Sequence, residues 1–171
     1  MSELSHFDDR GAARLVDVSE KPATLRLARA TAEVLLSATG MQVIRQRRGA
    51  KGDVLQVARL AGIMAAKRTA EIIPLCHTLP LEAVEVDFHE IDELHLGISA
   101  SARVTARTGV EMEALVAASV AALTIYDMLK STDRGIRIEN VQLMEKSGGR
   151  SGAYSRSGAA VATEPGGAQS L

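Results

Sequence analysis

Residues able to do acid–base chemistry or hold an anion cluster at the two ends of one apolar stretch, TGVEMEALVAASVAALTIYDMLK, from Thr108 to Lys130. Its first turn carries Glu111 and Glu113, and its last carries Asp127 and Lys130. Carboxylates near the start of a helix and an ammonium near its end complement the dipole of any helix, so Glu111, Glu113 and Lys130 need no functional explanation on position alone. Asp127 does need one. A carboxylate in the last turn opposes the dipole beside a core-facing run, and a residue that breaks a local rule in this way is a functional candidate.

A second group lies in IIPLCHTLPL, a segment braced by Pro74 and Pro80 with Cys76-His77 at its apex. One cysteine with the scattered His6, His89 and His95 cannot supply the four paired ligands of a structural zinc site, so no metal centre is expected. Adjacent side chains in an extended segment point opposite ways, which argues against a Cys-His nucleophile pair. Two readings remain open: an imidazole held in a rigid loop to contact a ligand, or a packed thiol beside an exposed histidine. Lys67 and Arg68 sit near a helix end that suits cations in any protein. The run Lys146-Ser147-Gly148-Gly149-Arg150-Ser151-Gly152 reads as a loose linker, which its spacing favours, or as a phosphate cradle built from free amides and two cations.

The elements that must position these groups follow from periodicity. Thr108 and Glu111 fit the S/T-x-x-E capping box, which predicts a helix starting near Gly109. From Ala114 to Tyr126 there is no charge, and five alanines keep the cylinder slim, which predicts burial on more than one side. Those thirteen uncharged residues fall short of the roughly 20 needed to span a membrane. Thr24 to Leu36 alternates in twos with a switch of parity near Ala28 and Arg29, which predicts a β-bulge there. Met41, Val43 and Ile44 predict a short helix, followed by basic Arg45, Arg47, Arg48 and Gly49. Asp53 is placed to cap a longer helix with apolar positions Val54, Val57, Ala61, Met64 and Ala65, ending before Pro74. Glu82 to Glu90 and Leu94 to Val104 alternate as a hairpin, and Ile136 to Met144 supplies a last strand. The order β-α-α-β-β-α-β predicts an α+β, ferredoxin-like split βαβ sandwich, an antiparallel sheet covered by helices. The expected organisation is a flexible arm over 1–12, a single domain over 13–152 and a disordered tail over 153–171.

Composition excludes other classes. A chain of 171 residues that is 46% hydrophobic can bury a sizeable core. A net charge of −1, two Phe, two Tyr and no Trp argue against a nucleic-acid partner. The charged start MSELSHFDDRG and the single cysteine point to the cytoplasm, with no membrane partner.

The runs KGDV (Lys51 to Val54), AGIMAAKRT and IPLCH (Ala61 to Thr69, Ile73 to His77), TGVEMEAL, ALTIYDM and EKSGGRSG (Glu145 to Gly152) resemble the cyclic pyranopterin monophosphate synthase family, molybdenum cofactor biosynthesis protein C. The resemblance extends from about Leu15 to Gly152, and several long segments in order are more specific than one motif. It implies a lyase that converts 3',8-cyclo-7,8-dihydroguanosine 5'-triphosphate to cyclic pyranopterin monophosphate and releases pyrophosphate, working without a resident cofactor except for any Mg²⁺ carried with the triphosphate. It implies catalytic roles for Asp127, Lys51 and Lys130. It implies substrate contacts from Leu75, Cys76, His77, Met112 and Glu113, with Glu111, Lys67, Arg68, Lys146 and Arg150 as further binding candidates. Rearranging rings needs proton donors and acceptors, and a carboxylate and amines in one pocket can tune each other towards neutrality. The resemblance also implies a homohexamer, a trimer of dimers with sites between subunits. Fold alone leaves open a non-catalytic nucleotide-binding regulatory module and a purely structural oligomer.

Overall fold

The structure, a computed structural model, describes residues 6, 8, 10–47, 52–149 and 152–156. Alternating apolar residues build its strands: β1 (Thr24–Leu35), β2 (Ala83–Glu90), β3 (His95–Ala106), β4 (Arg137–Ser147) and the short β5 (Tyr154–Ser155). They form one antiparallel sheet in the order β2-β3-β1-β4-β5, and its first four members have the ferredoxin-like arrangement that the element order predicts. The helices are α1 (Ala38–Gln46), α2 (Val54–Ala66), a single turn α3 (Thr69–Ile72) and α4 (Glu111–Leu129). In β2, Val86 and Phe88 are buried while Glu85, Asp87 and His89 face out, as the alternation requires. Beyond residue 153, where a tail was expected to begin, Tyr154 and Ser155 instead pair with Lys146 and Glu145.

The bulge lies in a different strand from the one expected. β1 pairs with β3 through twelve consecutive residues without interruption, and Ala28, Ala30, Ala32 and Val34 all point into the core. Leu25 is exposed and Leu27 only half-buried, so the apparent change of parity marks the outward face of a regular strand. The extra residues belong to β4. Arg29 pairs with Glu145 but Ala30 pairs with Leu143, so Met144 is unmatched, and a second shift lies between the Thr31–Gln142 and Glu33–Glu139 pairs. Asn140 there takes a φ of 50° and donates from Nδ2 to Glu33 Oε2 at 2.8 Å. Asparagine tolerates that left-handed conformation better than most residues.

Asp53 caps α2 as expected, accepting from the backbone N–H of Leu55 at 3.0 Å and of Gln56 at 3.3 Å. The phase of α2 differs from the expected one. Its buried face is Val54, Leu55, Ala58, Gly62, Ala65 and Ala66, whereas Val57, Leu60 and Met64 are exposed. Proximity to α4 is the reason. A β-carbon on Gly62 would stand 2.8 Å from the Ala117 carbonyl oxygen and 3.2 Å from Val86 Cγ2, so only the smallest residues fit on the facing side. α4 is the core helix: Ala114, Ala117, Ala118, Ala121, Ala122 and Ile125 are fully buried against β1, β3, β4 and α2. At 19 residues it is, among the described residues, the one helix long and apolar enough to cross a membrane by length and composition, which the count of uncharged residues missed. Its packing against the sheet and α2 accounts for that apolarity within the fold. Leu123, 57% exposed, marks a side that none of the described residues covers.

Gly62→Ala tests this contact. Alanine would favour an isolated helix by up to about 1 kcal/mol, but overpacking against fixed backbone typically costs roughly 1–3 kcal/mol. A lowered urea midpoint is expected; an unchanged or raised midpoint would show that the helices have room to separate.

Candidate active site

α4 begins at Glu111, two residues later than the capping box predicts, and Val110 at its N-cap offers no side-chain hydrogen bond. Its own ion pair draws the carboxylate away from capping. Lys146 Nζ, near the end of β4, donates to Glu111 Oε1 at 2.8 Å, with both side chains 28% exposed. A β-carbon on Gly109 would overlap the Glu111 carboxylate, so the glycine makes room for that arrangement. A partly shielded pair of opposite charges holds the helix start to the sheet, where a capping hydroxyl would serve only the helix.

Around this pair lie two connected openings. One of about 550 Å³ is lined by Lys21, Thr24, Arg26, Arg107, Lys146 and the Gly148-Gly149 backbone, among others. The other, of about 330 Å³, is lined by Leu75, Cys76, His77, Met112 and Glu113. Lys21, Thr108, Gly109 and Glu111 belong to both, which makes a single cleft with a cationic end and an apolar, thiol- and imidazole-bearing end. A small recess of about 50 Å³ behind Glu113 and His77 carries Lys67 and Arg68. Cys76 and His77 line the same opening despite being adjacent, because Cys76 N–H donates to the Ile73 carbonyl in a turn and the segment is not a regular strand.

The run Glu145 to Gly149 is no loose linker. β4 extends to Ser147, and Gly148 and Gly149 follow with φ values of 93° and 78°. A side chain at Gly148 would collide with the Leu25 carbonyl oxygen, and one at Gly149 would displace the Arg26 guanidinium. Arg26 Nε donates to the Ala106 carbonyl at 3.3 Å, which ties that cation to the end of β3.

The electrostatics divide the cleft. Burial raises the proton affinity of Glu113, which is only 4% exposed, and the neighbouring charge of Glu111 adds to the effect. Burial also raises the Cys76 thiol, with a smaller contribution from Glu113, so this cysteine is poorly suited to act as a thiolate. His77 Nε2 lies 2.9 Å from the carbonyl oxygen of Val16, and because a carbonyl only accepts, Nε2 carries the proton.

Asp127 and Lys130 stand elsewhere. They lie at the far end of α4, both exposed, with Lys130 Nζ donating to Asp127 Oδ1 at 2.6 Å. Glu113 and Asp127 are 14 residues apart in one helix, which separates their backbones by about 21 Å. The hydrogen bond to Asp127, and then its charge, raise the proton affinity of Lys130, which moves that amine away from neutrality rather than towards it. Lys51 and Arg150 lie outside the described residues. α2 and α4 run antiparallel, since Gly62 meets Ala117 and Ala121 while Ala66 to Thr69 share a recess with Glu113. The N-terminal end of α2, which follows Lys51 in the chain, therefore lies on the Asp127 side.

Lys21, Arg26, Arg107 and Thr108 line the cleft but are not among the site residues the sequence predicts. Lys21 sits in a segment without periodicity, and Thr108 was read as a helix cap. Arg26 and Arg107 become neighbours of the cleft only through the β1–β3 register, in which Thr24 pairs with Ala106 and Arg26 with Val104.

Fold and site together define a ferredoxin-like α+β sandwich with a charged cleft at the start of its central helix. Residues 15–149 match the MoaC family, and the chain belongs to it. It is similar to the cyclic pyranopterin monophosphate synthase of Thermomicrobium roseum, 59% identical over 157 residues covering 91% of this chain and 95% of that protein. It is 53% identical over 161 residues to cyclic pyranopterin monophosphate synthase 1 of Mycobacterium tuberculosis, covering 94% of this chain and 95% of the relative. The corresponding values for the cyclic pyranopterin monophosphate synthase of a Methylobacterium species are 55% over 155 residues, 90% and 97%.

Glu113 yields a prediction with a definite sign. A carboxyl whose folded-state pKa lies above its ordinary value of 4.5 keeps its proton in the native protein after the unfolded chain has lost it, so stability falls as pH rises above that value. Glu113→Gln should therefore stabilise the fold at neutral pH, and the advantage should vanish in acid below the ordinary value. Urea denaturation of both proteins across that range checks it; an equal difference at every pH would show that the carboxylate charge is not the cause.

Proposed function

We propose that the chain is a cyclic pyranopterin monophosphate synthase, a lyase of molybdenum cofactor biosynthesis that takes the cyclised dihydroguanosine triphosphate, releases pyrophosphate and closes a cyclic phosphate on the rebuilt pterin. The observation that carries this reading is the convergence of Leu75, Cys76, His77, Glu111, Met112, Glu113 and Lys146 on one cleft, in a member of a family whose relatives bear that name. The cationic end suits the triphosphate, because fixed positive groups stabilise charge that develops as pyrophosphate leaves. The other end suits the ring system, with apolar Leu75 and Met112 beside polar His77 and Glu113. Lys67 and Arg68 sit behind Glu113 and support the site from outside the main cleft.

Asp127, Lys130 and Lys51 form the reacting group in this reading. With its proton held by Asp127, Lys130 serves as a fixed cation, and Asp127 as the base. The distance along α4 means that one chain does not bring Asp127 to Glu113, so each site takes the start of α4 from one subunit and its end from a neighbour. An isologous two-fold contact would give two such sites per dimer, and three dimers make the expected hexamer. The exposed Val57, Leu60, Met64 and Leu123 of the helix layer give apolar surface for that assembly, and the cytoplasm is its expected place.

Incubation with the cyclised triphosphate should yield pyrophosphate and, after oxidation, pterin fluorescence; binding without either product would favour a regulatory nucleotide-binding module. Asp127→Asn should keep the fold while lowering turnover by about 10²-fold or more, the usual scale for an acid–base group. Glu113→Ala and Asp127→Asn proteins, each nearly inactive, should regain activity when co-assembled. No recovery in verified mixed oligomers would sink the shared site.

A further inference from the structure

Residues 16–22 run beside the cleft without regular secondary structure, and hydrogen bonds of two kinds shape them. Within the segment, Asp17 Oδ1 accepts from the Ser19 N–H at 2.8 Å, and the Val18 carbonyl accepts from the Lys21 N–H at 3.0 Å. The result is a turn that sets the direction in which Lys21 leaves the backbone. Two side chains then tie the segment to the body of the protein. His77 holds the Val16 carbonyl, and Arg107 Nη1 donates to the Ser19 carbonyl at 2.7 Å. Arg107 is the residue immediately after β3, so its backbone is anchored by the sheet.

Lys21 itself is half-buried and lines both openings of the cleft, next to Thr108, Gly109 and Glu111. Its position depends on the turn, and the turn is held at its middle by Arg107. We propose that Arg107 is a positioning residue, which by gripping the Ser19 carbonyl sets the 17–21 turn and so places the Lys21 ammonium where the two openings of the cleft meet. The functional half of this inference rests on the reading given under Proposed function. Arg107 acts through the backbone of the segment, and the donor that does so is already occupied. A single N–H contact is involved, so lysine can replace it, whereas alanine leaves the Ser19 carbonyl without its cation.

Three measurements on the full-length protein separate anchoring from a direct contact. Hydrogen exchange of the 16–21 peptide, followed on the millisecond scale, should be faster in Arg107→Ala than in the wild type and near normal in Arg107→Lys. With the cyclised triphosphate, Arg107→Ala should raise KM by about ten-fold, the scale of one hydrogen bond to a charged group, with kcat within about two-fold. Arg107→Lys should recover most of that loss. In the Lys21→Ala background, Arg107→Ala should add little, since two residues acting through one contact are not additive. Additive losses with unchanged exchange would make Arg107 a direct anion contact and overturn the proposal, as would faster exchange with an unaltered KM. If the wild-type protein turned over no such substrate, the proposed function and the Lys21 half of this inference would both fall, and the exchange measurement would still decide whether Arg107 holds the segment.

Discussion

Close approach of α4 to both the sheet and α2 is the constraint on which the rest of the structure depends. The sheet presents Ala28, Ala30, Ala32, Ala100 and Ala102 to the helix layer, α4 answers with five buried alanines, and α2 contributes Gly62 and Ala58. A core of such small side chains brings backbones close and leaves little freedom for the helix to shift or turn, because there is no flexible side chain to absorb a change. The expected site residues on α4 are hung from the two ends of that fixed rod. Its start meets Lys146 and the 75–77 segment, and its end carries Asp127 and Lys130.

The cleft at the start of α4 keeps a carboxylate, Glu113, in a position where burial disfavours its charge, with Glu111 close by. A protein selected for stability alone would not retain that group. Its presence beside a thiol whose proton is also held tightly, and an imidazole fixed by a backbone carbonyl, describes a pocket whose proton positions are set before any ligand arrives. Such preorganisation is what acid–base and phosphate chemistry draws on.

Much of this was legible in the sequence. The β2–β3 hairpin, the Asp53 cap, the apolar central helix and the grouping of Leu75 to His77 with Met112 and Glu113 follow from alternation, capping chemistry and resemblance. What escaped was whatever depends on a neighbour far away in the chain. A repeat of about 3.6 residues picks out Val54, Val57, Ala61, Met64 and Ala65 as the apolar positions of α2, whereas the real face is chosen by how near α4 lies and leaves Val57 and Met64 exposed. Thr108 and Glu111 fit a capping box, but Lys146, 35 residues on, takes the carboxylate. Lys21 and Arg107 carry no pattern of their own and come to line one opening only through the fold.

The unmatched Met144 in β4 has a consequence for handedness of placement. Residues directly paired across strands share a face of the sheet, so Ile138 opposite Val34, Leu143 opposite Ala30 and Lys146 opposite Ala28 all lie on the helix side. Their numbers run even, odd, even. Each supernumerary residue reverses the alternation once, and two reversals cancel over the strand as a whole. Only the stretch between them is out of phase with its ends. Met144 is the extra residue at the second reversal: removing it alone would leave Leu143, Glu145 and Lys146 opposite Ala30, Arg29 and Ala28, so Lys146 would stay on the helix side with Glu111. The ion pair that seats the central helix thus depends on which residue of β1 stands opposite Lys146 and not on whether its number is odd or even, so β4 can lose the extra residue beside the site without moving the lysine off the helix face.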